Sequence, residues 1–136
     1  MSVLDDLADR LTTQSVATTG TDLFKGNMPT TPDEVIALYM TGGPAPIHTM
    51  NAGPGTAIVE RPHIQVLARA SRVDTAFKRA QDVYHALDAL GDVTLNGVRY
   101  LAVWALQPPF FMREDETGRK VCAVNFEVWR EPATSS

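Results

Sequence analysis

Cysteine is almost absent. Cys122 stands alone among 136 residues, so no internal disulfide can form and a disulfide-stapled secreted scaffold is excluded. A reducing cytoplasm is the expected place of folding. Long apolar runs are missing too. No stretch approaches the ~20 residues that span a bilayer, so no membrane partner is expected. The start, Met1-Ser2-Val3-Leu4-Asp5-Asp6, is acidic and amphipathic and lacks the basic flank and apolar run of a secretory signal. Basic runs are lacking as well. Twelve Lys and Arg are scattered among sixteen acids, for a formal net charge of -4. A tight non-specific nucleic-acid binder needs a patch that neutralises several phosphates, so DNA binding is not expected as the main activity.

Catalytic and cofactor signatures are also missing. His48, His63 and His85 are dispersed, without the spacing of a zinc site. Asp5, Asp6 and Asp9 fall on the polar face of a predicted helix, where solvation explains them without a metal. Glu114-Asp115-Glu116 reads as a solvated hairpin tip rather than an acid–base pair. Gly53-Pro54-Gly55-Thr56 has no following lysine, and its proline lacks an N–H that a phosphate cradle needs. No Gly-x-Ser-x-Gly occurs. Cys122 shares strand parity with Val124 and Phe126, which suits a buried small hydrophobe. No enzyme activity, cofactor or metal is expected. An enclosed pocket lined by His63, Arg69 and Arg99 would instead mark a small-molecule-binding domain or an enzyme.

What is present is the material of one globular domain, residues 1–136, with 44% hydrophobic and 21% charged residues. Residues 3–13 predict a helix with Val3, Leu4, Leu7, Ala8 and Leu11 on one face, Asp5, Asp6, Asp9 and Arg10 on the other, and Ser2 as N-cap. A small polar connector runs to Gly20. Residues 21–25 suggest a short strand, 26–33 a loop, and 34–41 a second strand, apolar enough for burial on both faces or for a subunit contact. Residues 42–57 form the longest irregular stretch. In 61–70, Ile64, Val66 and Ala68 alternate with His63, Gln65 and Arg69, as in a half-buried strand. Residues 72–90 predict a helix, with Ser71 and Asp74 as a capping box and Gly91 as a left-handed C-cap. Val93-Thr94-Leu95, Asn96-Gly97 and residues 98–107 form a hairpin, since both turn residues tolerate positive φ. Residues 113–120 form a polar tip, 121–129 return as a strand, and 131–136 are a flexible tail. The fold class is α+β: a mostly antiparallel sheet with two helices packed on one face. Phe77, Leu87, Phe126 and Val128 lead the predicted core.

Apolar residues also lie beside prolines, outside strand alternation: Ile47, Met50, Phe110, Phe111 and Met112. They either close one end of the core or belong to a partner or oligomer interface, where aromatic residues and Met are enriched. Trp104 and Trp129 carry the same two readings.

The motifs Arg61-Pro62-His63-Ile64-Gln65-Val66, Asn96-Gly97-Val98-Arg99-Tyr100-Leu101, Leu106-Gln107-x-Pro109-Phe110-Phe111, Asp115, Gly118-Arg119 and Asn125-Phe126-Glu127 resemble, in that order, the minor capsid or tail terminator proteins of long-tailed bacteriophages. The resemblance covers roughly residues 30–130. It implies an α+β virion protein, assembled in the host cytoplasm, that sits as a homo-hexameric ring on the tail tube. It further implies an end to tube growth and contacts with itself, the tail tube protein and the head-completion or neck protein. DNA would pass through the ring without specific binding. A neck or head-completion protein of the same virion is the alternative that shares this small build.

Overall fold

The structure, a computed structural model, describes residues 2–48 and 57–131. Helix α1, Val3–Thr13, begins as the pattern predicts. Ser2 Oγ accepts from Asp5 N at 3.2 Å and Asp5 Oδ2 accepts from Ser2 N at 2.9 Å, which closes a capping box. Strand β1, Leu23–Lys25, runs parallel to β2, Val35–Gly42, which is buried over Val35–Leu38 and exposed at Met40. The stretch expected to be irregular holds a two-stranded ribbon, β3 (Ile47–His48) with β4 (Ala57–Val59). Then come β5 (His63–Ala70), helix α2 (Val73–Leu87), and the hairpin β6 (Val93–Leu95) and β7 (Val98–Ala105). Asn96 and Gly97 make its turn with φ of 50° and 80°. Strands β8 (Phe110–Glu114) and β9 (Lys120–Arg130) complete the chain. The tail residues 132–136 lie outside the described residues.

One seven-stranded sheet has the order β1-β2-β5-β9-β7-β6, with β8 also on β9. All its pairs are antiparallel except β1–β2. The architecture is therefore α+β, with two helices against a mixed, mostly antiparallel sheet. Both helices share one apolar cluster, built of Leu7, Leu11, Ile36, Leu38, Ile64, Val66, Val83, Leu87, Phe126 and Val128, among others. Each such large side chain contributes about 1.5–3 kcal/mol. On the other face, Leu67, Val121 and Ala123 form a second cluster with Met28, Tyr39 and Phe110 against them.

Five local expectations are corrected. Phe77 is not core: Ala76, Ala80, Val83 and Leu87 are the buried stripe of α2, and Phe77, a step round from Ala76, is left 39% exposed. The small alanines bring the helix close to the sheet, so no depth remains for a phenyl ring at the flank. The predicted capping box of α2 does not form. Arg72 is the N-cap, without a side-chain cap bond, and Ser71 Oγ lies 3.4 Å from Asp33 Oδ2 instead. The helix ends at Leu87, where Asp88 turns extended and its Oδ1 accepts from Ala105 N at 2.7 Å, so Gly91 is not the C-cap. Arg69 faces away from the helices as its parity demands, yet it is only 4% exposed. Its guanidinium donates to the carbonyls of Pro29 (2.6 Å), Pro32 (2.7 Å) and Asp33 (3.2 Å), which straps the 26–33 loop onto that face.

Asp6 is the fifth. It lies at the edge of the polar arc of α1 and is fully buried. Tyr100 Oη donates a short hydrogen bond to Asp6 Oδ2, and Asn96 Nδ2 donates to Oδ1 at 2.7 Å. Arg130 Nη1 stands 3.8 Å from Asp6. Burial, then the Asp6 bond, pushes the Tyr100 phenol well above its ordinary range. The acid thus pins α1 to the Asn-Gly turn and to the end of β9. Removing one member of a buried charged network costs about 3–5 kcal/mol, because its partners are left unpaired. We expect Asp6→Ala to lose that much in denaturant unfolding, and Asp9→Ala, on the exposed side, to lose under about 1 kcal/mol. Equal losses would show that Asp6 does not hold the helix.

Candidate functional site

The 98–114 segment runs along one side of β9 in two pieces. β7 pairs with Phe126–Arg130 and β8 with Lys120–Ala123. Between them lie Pro108 and Pro109, which have no N–H for the ladder. Leu106 N still donates to Asn125 O at 2.8 Å, so the arm stays in line while its pairing breaks. The expected loop at Phe110–Met112 is thus a strand, at the edge of the sheet. Its register shifts between Phe111 and Arg113, the mark of a β-bulge. Phe110, opposite Ala123, turns onto the second cluster. Phe111, opposite Cys122, turns to the helix side and is 51% exposed, and Met112 is exposed beside it.

Helix α2 borders β8 on that side. It presents Val73 and Phe77, both exposed and four residues apart, hence on one face. Val73 and Phe77, the latter expected in the core, are thus exposed apolar residues on the helix that borders β8. What marks them in the sequence is the alanine pair Ala76 and Ala80, which defines a narrower buried stripe than the full apolar arc.

The other end of the strands carries a second exposed apolar set. The β3–β4 ribbon leaves the sheet at the Gly42/His63 end, with Ile47 half-buried and Ile58 exposed. Met40, on the last turn-out of β2, is 52% exposed. Met50 lies outside the described residues. The ribbon root is fixed by contact. A side chain at Gly43 (φ 132°) would place its Cβ 2.3 Å from Arg61 O. Arg61 donates through Nε and Nη2 to Ala45 O at 3.1 and 2.6 Å, and its guanidinium lies 5.6 Å from the Trp129 ring centre. Trp129 packs on Trp104 with centroids 5.8 Å apart and donates from Nε1 to Glu127 at 2.9 Å. His63 Nε2 is 2.8 Å from the other Glu127 oxygen. The Trp129 bond, despite partial burial and with help from His63, holds the Glu127 carboxyl below its usual range. Ile47 and Phe110–Met112 are not brought together; they mark opposite ends of the sheet.

The polar residues that could carry chemistry are engaged structurally. His63 pairs with Glu127, Arg69 with loop carbonyls, and Arg99 with Asp92 (2.9 Å) and Glu131 (3.2 Å). They do not converge on a pocket. Among the described residues no group of three His, Cys, Asp or Glu is placed to hold a metal. Cys122 is buried, which pushes its thiol up. Glu114 pairs with Lys120. Asp115 organises the hairpin tip, accepting from Thr117 N, Thr117 Oγ1 and Arg119 N at 3.0, 3.0 and 2.8 Å, and from Arg119 Nε at 2.7 Å. Arg119 Nη1 in turn donates to Thr30 O, tying the tip to the 26–33 loop.

A family model described as "Bacteriophage tail terminator protein" matches residues 10–131. No curated protein matches the chain. Among solved structures, a chain from the virion of a native gene transfer agent particle is similar at 20% identity with a TM-score of 0.62, covering 96% of each chain. A second solved chain is similar at 16% identity with a TM-score of 0.53, covering 95% of this chain and 92% of that one. At these identities the structural matches speak to the fold.

The tip makes a pH prediction. Partial burial alone would raise the Asp115 carboxyl, but the Arg119 backbone N–H, the Thr117 hydroxyl and the Arg119 guanidinium outweigh it and hold it at about 2. A carboxyl lowered on folding stabilises above its unfolded value of ~3.9, and that gain is lost as pH falls through the folded value. We expect Asp115→Asn to lower the Tm at pH 7, with the gap to the parent protein closing as pH falls from about 4 to about 2. A gap that stays constant across that window would show that the carboxylate charge is not what holds the tip.

Proposed function

The chain belongs to the bacteriophage tail terminator family, and from that premise we propose that it caps the finished tail tube as a ring, ends tube growth and joins the tail to the head-completion proteins. As a member of this family it is a structural, non-enzymatic component of the virion tail. The likeness to a chain of a gene transfer agent virion supports a place in a virion. In this reading residues 1–136 work as one domain.

The observation that carries the proposal is the pair of exposed apolar sets at opposite ends of the sheet. Val73, Phe77, Phe111 and Met112 mark one end, and Met40, Ile58 and half-buried Ile47 the other. Closed rings are built from head-to-tail contacts, which need two different surfaces on each subunit. A cap must also hold the last tube ring more tightly than another incoming ring would. Desolvated aromatic and Met anchors contribute on the order of 2 kcal/mol each, roughly a thirtyfold change in affinity. A net charge of -4 without basic runs suits a lumen through which DNA slides.

We expect Phe111→Asp to leave the Tm within a few degrees of the parent, since the ring is not in the core, and to weaken assembly by a factor of ten or more. Sedimentation with purified tail tubes reads this directly. Particles made without the protein should have overlong tails, or tails unattached to heads. Normal-length tails on filled heads would sink the reading. Normal-length tails left unjoined would favour a neck connector instead. Isolated protein should not bind duplex DNA tightly at physiological salt; tight, steeply salt-dependent binding would count against the sliding lumen.

A further inference from the structure

Among the described residues both sides of the sheet leave edge strand open, at β8 and at the end of β2, and the directions of these two stretches match. Among the described residues β8 pairs with β9 alone, so the outer side of Phe110–Glu114 carries no strand. On the other edge, β1 covers only Ile36–Leu38 of β2, which leaves Tyr39–Gly42 without an outer neighbour among the described residues. Following the ladder, β8 is antiparallel to β9, β9 to β5 and β5 to β2. β8 therefore runs antiparallel to β2. A copy placed beside this one by rotation would offer its β2 in the antiparallel sense to β8. We propose that the free end of β2, Tyr39–Gly42, of one copy adds to the bulged edge strand β8 of the next, so that the sheet continues from subunit to subunit. This rests on the ring reading and names its contact.

Face and offset agree with the pairing. Met40 is opposite Ile64 and Phe111 opposite Cys122, and both partners belong to the helix-side cluster. Phe111 and the neighbour's Met40 thus fall on the same side of the joined sheet, as a cross-strand pair requires. Each is about half exposed in the single chain, at 51% and 52%. The two open stretches are staggered. Phe111 is level with Cys122, Ala68 and Ile36, while the free end of β2 centres on Met40, four residues on from 36 to 40. Four residues of strand are about 14 Å, and the repeat β8, β9, β5, β2 is about 19 Å wide at strand spacing. Closing the sheet on itself then tilts the strands by about 36°, within the ~35–45° that closed sheets adopt.

The test pairs Phe111→Cys with Met40→Cys in one chain, and Met112→Cys with Met40→Cys in another to allow for the bulge. Each is assembled on purified tail tubes and oxidised. A ladder of covalent multimers in either double variant, absent from the single variants, is the expected result. Amide exchange of the unaltered protein gives a second reading that needs no variant. Residues 111–113 and 39–42 should both become at least tenfold slower to exchange on assembly. Rings seen by electron microscopy with no ladder and no protection overturn the strand contact while leaving the ring intact. Subunits that bind the tube singly, without forming a ring, overturn the ring reading and this contact with it.

Discussion

Strand β9 is the constraint on which the rest of the molecule depends. Its residues from Val121 to Val124, with Phe126 and Val128, are buried, so both of its faces are core. Its two sides are also occupied, β5 along one and the β7–β8 arm along the other. A strand held this way admits one register only. A slip by one residue would exchange Phe126 and Val124 for Asn125 and Glu127 against the helices. The helices, the second apolar cluster and the tip all take their positions from it. The proline break in the opposing arm has its effect because β9 itself does not bend away. The arm loses its ladder at Pro108 and Pro109 and regains it at Phe110.

Much of this was legible in the sequence. The 3.6-residue repeats at 3–13 and 72–90 and the Asn-Gly turn found their elements, because each signal is local and its cause acts within a few residues. The misses are long-range. Asp6 looks solvated from its helix alone; it is buried because Asn96 and Tyr100, 90 and 94 positions away, arrive over it. Arg69 breaks the alternation of β5 for a similar reason, since three carbonyls of the 26–33 loop replace its water. Phe77 was assigned by hydrophobicity, whereas its exposure follows from how near Ala76 and Ala80 let the helix approach. Prolines around Phe110 read as a loop, yet an edge strand tolerates what a central one does not.

The candidate surface was half legible for the same reason. Phe111 and Met112 stand out in the sequence because nothing local requires them to be buried. Val73 and Phe77 could join them only once the packing of α2 was known. Ile47 belonged to the same set by composition, but the strand registers put it at the far end of the sheet. Composition finds apolar residues without a structural role; topology decides whether they make one surface or two. Here it makes two, and a head-to-tail assembly can use two where a two-fold dimer would use one surface twice.

A free edge with exposed Phe and Met would be a hazard for the proposed cap, which has to wait before it assembles, since such edges invite premature pairing. Two features of β8 lower that hazard. The bulge at Phe111–Arg113 interrupts the regular alternation of donors and acceptors that another strand would need. The charges of Arg113 and Glu114 sit on the same short strand, and Glu114 is paired back to Lys120 within the hairpin. An edge of five residues so treated makes a weak contact by itself. Several such contacts closing together on a template are stronger, because each new subunit then meets its neighbour at high effective concentration. In the proposed ring, a subunit built this way would stay single in solution and close only on the end of a tube. The proposed cap, acting once after the tube is finished, would need that order of events.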